Sequence, residues 1–266
     1  MILWRDGAHD ARENMRRDHA LLAAAEAGAE PVLRLFTFAP AGITLGLNQA
    51  PERELDLARC EADGVVWAVR PTGGRAIFHA DEWTYSLATP LADRTWGGSR
   101  AGTYERIAEL LVASLVRLGV PAELAPGGGH LTLARGARGA APPCFASTAR
   151  HEVVLGGRKL VGSAQRRTAH GLLQQGSLLL GEGHLRLADY LAIAPAEREP
   201  VRESLRLASG SAGRFLGVDP PLDRWADSLA AELGAGIRRF DGALGAFLLT
   251  LSKRDSYTSA AFEACS

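Results

Sequence analysis

Apolar residues recur at helical spacing in some stretches of this chain and at strand spacing in others, and the changes of spacing mark out its elements. Between Ala8 and Gly28, the residues Met15, Ala20, Leu21, Leu22 and Ala25 stand among charges, which predicts an alanine-rich amphipathic helix stopped by glycine. The texture then changes. Pro31 to Phe38 and Gly42 to Leu47 are short, β-branched or aromatic, and bounded by proline and glycine, as strands are. Leu55 to Asp63 reads as a short helix ended by Gly64, and Val65 to Arg70 as a strand. A turn at Pro71-Thr72-Gly73-Gly74 follows, then extended segments through Phe78 and from Trp83 to Ala88. Thr103 to Leu118 returns to helical spacing, ends at Gly119, and is expected to cover one face of the sheet.

Pro126 to Pro143 is too rich in glycine, alanine and proline for a continuous element and reads as a loop or linker. Beyond it, two extended segments flank Gly156-Gly157, which fits a hairpin with both turn residues at positive φ. Gly171 to Leu180 predicts another strand. From Leu185 the pattern becomes helical, most clearly over Leu222 to Leu233. Hairpins and clustered strands, without strict strand–helix alternation, predict an α+β fold: a mixed, largely antiparallel sheet flanked by helices. The division expected is a catalytic domain over residues 1–192 and a small, mostly helical extension over 193–266.

At 266 residues and 47% hydrophobic content the chain can bury a sizeable core. Thirty basic residues balance thirty acidic ones, so there is no global field to hold a polyanion, and nucleic acid is not an expected partner. The opening residues Met1 to Asp6 carry no secretory signal and no stretch approaches the ~20 apolar residues of a membrane span, so a cytoplasmic location without membrane contact is expected. Cys60, Cys144 and Cys265 are widely separated, with neither zinc-site nor disulfide spacing.

Cys144 follows a double proline just before the hairpin: it is either a nucleophile on a constrained backbone or a small packed residue. Lys159, directly after the Gly-Gly turn, is either a solvated strand charge or an ammonium beside the Cys144 sulfur, favouring the thiolate and carrying its proton. Continuous strand alternation would group Lys159 with Val161, Ser163 and Gln165, and put Gly162 and Ala164 on the other face. Between Arg70 and His79, Gly73 and Gly74 leave backbone amides of the kind that receive an oxyanion, although such a turn is also an ordinary strand connection. His79 is a proton carrier or a structural hydrogen-bonder, and Tyr85 and Ser86 carry the same ambiguity. Arg135, Arg138, Arg150, Arg158, Arg166 and Arg167 are either ordinary surface or a patch that receives an acidic carrier protein or a phosphopantetheine phosphate. Cys60 lies at helical spacing from Leu57 and reads as packing.

Taken together, four blocks in order resemble the lipoate-protein ligase and octanoyltransferase family, related in fold to biotin protein ligases. They are Asn14-Met15 with Asp18; Ile43-Thr44-Leu45-Gly46 with Gln49; Arg70 to Ala76 with His79, Tyr85 and Ser86; and Lys159 to Gln165 followed by Leu173 to Leu179. Cys144-Phe145, fifteen residues before Lys159, is similar to the cysteine block of the LipM-type octanoyltransferase branch. Two positions depart from the family pattern: Gln175 stands where a histidine is usual, and Ala146 where an acidic residue is common. The resemblance implies Cys144 and Lys159 as catalytic residues. It also implies a substrate pocket built from Arg70, Gly73, Gly74, Arg75, Ala76, His79, Tyr85, Val161, Gly162, Ser163 and Ala164, with Val161 and Ile77 flooring an acyl groove. The implied reaction is transfer of an octanoyl group from acyl carrier protein, through a cysteine thioester and without a cofactor, to a lysine of a lipoyl carrier domain, either glycine-cleavage H protein or a dehydrogenase E2. The alternatives are a lipoate ligase using ATP and magnesium, and a non-catalytic acyl-binding module.

Overall fold

The computed structural model describes residues 1–125, 152–243 and 246–247. Strand β1 (Ile2–His9) leads into α1 (Ala11–Glu26), which starts where the Asp10 side chain accepts from the Glu13 amide, and Gly28 follows its end at φ +94°. Then come β2 (Val32–Phe38), β3 (Gly42–Leu45), short helices α2 (Pro51–Glu54) and α3 (Leu57–Ala62), β4 (Val66–Val69), β5 (Ile77–His79) and β6 (Glu82–Pro90). Helix α4 (Arg100–Arg117), capped by Ser99, precedes β7 (Glu123–Leu124). Beyond residue 151 lie β8 (Val153–Leu155), β9 (Arg158–Lys159), β10 (Val161–Arg167), β11 (Gly171–Leu179) and a 3-10 turn at Gly183–Arg186. The chain continues through α5 (Leu187–Tyr190), α6 (Pro195–Ala208), α7 (Gly213–Leu216), α8 (Leu222–Leu233) and β12 (Arg238–Asp241).

Six strands form the main sheet in the order β10-β11-β6-β2-β1-β12, antiparallel from β10 to β2 and parallel from β2 to β12. Two three-stranded sheets, β4-β3-β5 and β7-β8-β9, accompany it. The largest core lies on one face of the main sheet, where Leu33, Leu35, Trp83, Tyr85, Leu87, Val161 and Leu178 meet α4 and α8. On the other face, Ile2, Val32, Ala88 and Leu173 pack against Leu21 and Leu22 of α1. One step along the register on that face stands the row Trp4, Arg34, Ser86, Gln175, Ala164, and the next is Gly7, Phe36, Thr84, Ser177, Gly162. Leu179 and Glu82 follow, with Leu179 joining a third core under the β4-β3-β5 sheet. Two rows rich in polar groups are thus enclosed between two apolar cores on the same face. Buried polar groups are tolerated only when hydrogen-bonded, so these rows mark where the fold does something other than pack.

The mixed sheet with flanking helices is the architecture expected, and Leu222–Leu233 is helical over the residues predicted. Gly156 and Gly157 turn the β8–β9 hairpin at φ +56° and +74°. Strand β1 is not signalled by alternation because Ile2, Leu3 and Trp4 are consecutive and buried on both faces. The segment after residue 192 carries the expected helices, yet it is integrated into the body of the fold: Trp225 and Leu229 are fully buried in the largest core and β12 pairs with β1 in the main sheet. Phe247 stacks on Trp4 at 4.3 Å. Among the described residues no helix is long and apolar enough to cross a membrane.

Candidate active site

A cleft opens over the two polar rows, between α1, the main sheet and the small sheet. It encloses about 370 Å³, part of it open to solvent. Met15, Phe36, Phe38 and Ile77 make its apolar walls. Gly162 and Ala164 keep the β10 side of the cleft flat, so an extended chain can lie against the strand backbone. The polar lining comes from Thr44, Arg70, Thr72, His79, Thr84, Ser163, Gln175 and Ser177. A second, larger cleft of about 780 Å³, walled by Arg158, Arg206 and Arg214, takes in none of these residues.

Two hydrogen-bonded chains run to the cleft wall. In the first, His79 at the end of β5 lies flat against Phe38, with ring centroids 3.9 Å apart. Its Nε2 is 2.6 Å from Thr44 Oγ1 and its Nδ1 is 2.7 Å from Glu82 Oε1, which also accepts from Thr84 Oγ1 (2.8 Å) and Ser177 Oγ (2.9 Å). A carboxylate only accepts, so Nδ1 carries the proton that binds Glu82. In the neutral ring Nε2 is then the acceptor, and the Thr44 hydroxyl donates to it.

The second chain starts at Asp18 on α1. Arg34 Nη1 binds its Oδ1 at 2.7 Å, and Ser86 Oγ (2.7 Å) and the Gln175 amide nitrogen donate to its Oδ2. Gln175 must therefore point its oxygen the other way, where Thr72 Oγ1 donates to it at 2.7 Å. Arg34 also donates to Asp6 Oδ2 (2.7 Å) and to Asn14 Oδ1 (2.6 Å), and its guanidinium lies 3.8 Å over Phe36. The helix is thereby tied through buried groups to the turn that holds Thr72.

Of the residues predicted for the pocket, Arg70, His79, Gly162, Ser163 and Ala164 line the cleft. Arg70 braces the turn from within: Nη2 donates to the carbonyls of Gly73 (2.7 Å) and Arg75 (2.8 Å), and Nη1 to that of Thr44 (3.2 Å). Gly46 passes so close to the Gly74 carbonyl that a Cβ there has no room. Gly73, Gly74, Arg75 and Ala76 are not among the lining residues: Gly74 is exposed and Ala76 is buried in the third core.

Tyr85 and Val161 face the opposite side of the sheet, because the register pairs them with Gly176 and Leu178 in the largest core. Val161 is therefore not the groove floor that the resemblance implied, whereas Ile77 is in the wall. Tyr85 supports the cleft from beneath, its hydroxyl 2.8 Å from Ser163 Oγ, and burial pushes its phenol up to about 12.

Lys159 sits on β9, paired with β8, and the break at Leu160 separates it from the alternation of β10. Its ammonium is buried and donates to Glu152 Oε1 at 2.6 Å. About 10 Å of strand, three residues at ~3.3 Å each, separate it from Gly162 in the cleft. Arg166 donates to the Pro71 carbonyl (3.2 Å), and Arg158 is exposed on the hairpin. Cys144, Arg135, Arg138, Arg150 and Cys265 lie outside the described residues. Cys60 is buried in the third core, where burial and the nearby Asp56 carboxylate push its thiol up.

Sequence reading does not single out Arg34, Glu82, Phe36, Phe38 or Thr84. For two of them a signal exists: Arg34 is a lone charge in the run Val32 to Phe38, and Glu82 is an acid at the mouth of an apolar strand.

Residues 10–234 match the model of the lipoyl protein ligase A/B catalytic domain. Octanoyltransferase LipM of Moorella thermoacetica is 38% identical over 75% of this chain and 71% of its own length. The protein of the same name from Carboxydothermus hydrogenoformans is 34% identical over 81% and 79%. Among solved structures, lipoate-protein ligase A bound with ATP superposes with a TM-score of 0.68 at 19% identity, covering 99% of this chain and 98% of that one, which is a likeness of fold.

Proposed function

Because the chain belongs to the family of lipoyl protein ligase A/B catalytic domains, we propose that it is an octanoyltransferase of lipoate biosynthesis, working through a thioester on Cys144. The donor is octanoyl acyl carrier protein, and the acceptor is a lysine of a lipoyl carrier domain. The observation that carries this reading is the meeting of three sequence blocks at one small cleft: the Arg70–His79 turn, the Gly162–Ala164 strand and the Gln175–Ser177 strand, against the apolar side chains of Met15, Phe36, Phe38 and Ile77. A cleft with that lining suits an alkyl chain ending in a reactive carbonyl. The relatives named Octanoyltransferase LipM span most of the chain and support the same reaction.

In the first half-reaction the Cys144 thiolate attacks the carrier thioester, and the pantetheine thiol leaves with the proton. Lys159, oriented by Glu152, supplies the positive charge that favours the thiolate and handles that proton. In the second half-reaction the acceptor amine displaces the cysteine. Going from thioester to amide is downhill, so the reaction needs neither ATP nor magnesium.

The test is intact mass after mixing the protein with octanoyl carrier protein. The expected result is a hydroxylamine-labile octanoyl adduct that is lost in Cys144→Ala and discharged by a lipoyl carrier domain. Modification of the carrier domain only from free octanoate with ATP would establish a ligase instead. An acyl chain that binds and never transfers would leave a binding module.

A further inference from the structure

The second cleft shares no lining residue with the first and is cationic where the first is apolar. The end of the β8–β9 hairpin, the turn from Gly181 to Leu185 and the run from Arg206 to Arg214 enclose about 780 Å³, part of it open to solvent. Arg158 on β9, Arg206 in the last turn of α6 and Arg214 in α7 bring three guanidiniums to its walls, against Glu182 as the one carboxylate in the lining. Arg206 also pairs with Glu203, whereas Arg158 and Arg214 are exposed and, among the described residues, have no carboxylate within ion-pair distance.

The floor between them is already satisfied. Ser209 Oγ donates to the Leu205 carbonyl (2.7 Å) and so accepts from His184 Nε2 at 2.9 Å, and Ser211 Oγ donates to the Leu180 carbonyl (2.7 Å). Burial pushes the His184 imidazole down and keeps it neutral. A ligand entering this cleft is therefore met by the arginines. Sequence reading grouped Arg158 with Arg166 and Arg167, but those two donate to the carbonyls of Pro71 and Gly98, away from this cleft.

We propose that this cleft is a binding site for the phosphoryl group of a phosphate ester, held by Arg158, Arg206 and Arg214. The planar fork of a guanidinium matches two phosphoryl oxygens, and three arginines against one glutamate leave an excess of positive charge for an anion of that class. The inference stands on the cleft alone and uses none of the thioester chemistry above. Occupancy would reach Lys159 through the backbone: the Gly210 amide donates to the Lys159 carbonyl at 2.9 Å, and Lys159 and Ser209 are parallel bridge partners. The cleft thus lies along the seam between the strand that carries Lys159 and the segment after α6.

The experiment is titration calorimetry at constant ionic strength with sodium phosphate, phosphopantetheine and AMP, each against its counterpart without phosphate: sodium chloride, pantetheine and adenosine. Amide hydrogen exchange locates what binds. At least one phosphorylated probe is expected to bind about tenfold or more tightly than its counterpart, the scale of one charge-assisted hydrogen bond. Arg158→Gln and Arg214→Gln change exposed side chains, so the variants should fold; each should weaken binding about tenfold, and the pair should abolish it. Arg94→Gln, exposed and outside both clefts, should leave it unchanged. Bound probe should slow exchange at the Gly210 amide. Preference for phosphopantetheine would identify the arm of a carrier protein as the source, preference for AMP a nucleotide, and equal binding of sodium phosphate the free anion; each supports the site. Affinities that do not exceed those of the counterparts, binding that survives in the double variant, or protection confined to residues 70–79 would overturn the proposal.

Discussion

Replacing Arg34 by methionine removes a fully buried cation while keeping most of its aliphatic volume. Asp6 would retain Arg17 as a partner, but Asp18 would keep only the hydrogen bonds from Ser86 and Gln175, with no cation against it among the described residues. Breaking a buried ion pair from one side costs about 3–5 kcal/mol, because the remaining charge stays desolvated. At ~2–4 °C per kcal/mol for a domain of roughly this size, the melting temperature should drop on the order of 10 °C. Asp18→Asn in the same background keeps an acceptor for Ser86 and removes the stranded charge, so it should recover about 2 kcal/mol. Urea titration of the three proteins measures both differences. A loss below about 1 kcal/mol in Arg34→Met, or no recovery in the double variant, would refute the claim that uncompensated charge sets the cost.

The Tyr85 phenol, raised to about 12 by burial, stays protonated in the folded protein while an unfolded tyrosine ionises near 10. Stability from this group is complete below pH 10 and lost as pH rises toward 12, by about 2–3 kcal/mol; in Tyr85→Phe the alkaline side of the stability curve should flatten, less about 1 kcal/mol at neutral pH for the lost hydrogen bonds. A Cβ at Gly176 would run into the Tyr85 ring and Ser163 Oγ, so Gly176→Ala should cost about 1–3 kcal/mol and slow acyl loading, read by thermal melts and adduct formation. Cys60 should resist alkylation in the native protein, as peptide mapping after iodoacetamide would reveal, and Cys60→Ala should leave octanoyl transfer intact. Gln175→His can still donate to Asp18 and accept from Thr72, so transfer should persist; Gln175→Glu sets a second carboxylate against Asp18 and should abolish it, and equal rates in the two variants would contradict the polarity assigned to that chain.

Periodicity made the amphipathic elements legible: α1, α4 and α8 each show an apolar stripe, and the β8–β9 turn needs two residues at positive φ that only its glycines supply without strain. What periodicity could not deliver was partnership. Nothing local in Arg238–Asp241 says that it pairs with β1, and the helices after 192 look like an appendage until Trp225 is seen beneath Tyr85. The site was legible where composition is odd, in the turn from Arg70 to Gly74 and the small residues Gly162 and Ala164. It was not legible where the chemistry is spread over distant strands: Thr44, His79, Glu82 and Ser177 form one hydrogen-bonded unit only through the register of two sheets. Alternation also failed at Lys159, because Leu160, bonded to Val153 on one side and Leu179 on the other, stands between β9 and β10 and interrupts the phase.

The two buried chains have the same sense. Each begins at an acceptor-only carboxylate, Asp18 or Glu82, and ends at a threonine hydroxyl beside the cleft, Thr72 or Thr44. Direction propagates from the carboxylate: the group bound to it must donate, its far side must accept, and so each threonine must donate inward. Both residues are fully buried, so each hydroxyl spends its proton on the protein and none of it on the cleft. The polar rows between the apolar cores are thus arranged by nitrogen and oxygen roles, which is the physical reason that Arg34 and Glu82 stay buried in a sheet otherwise built to exclude charge.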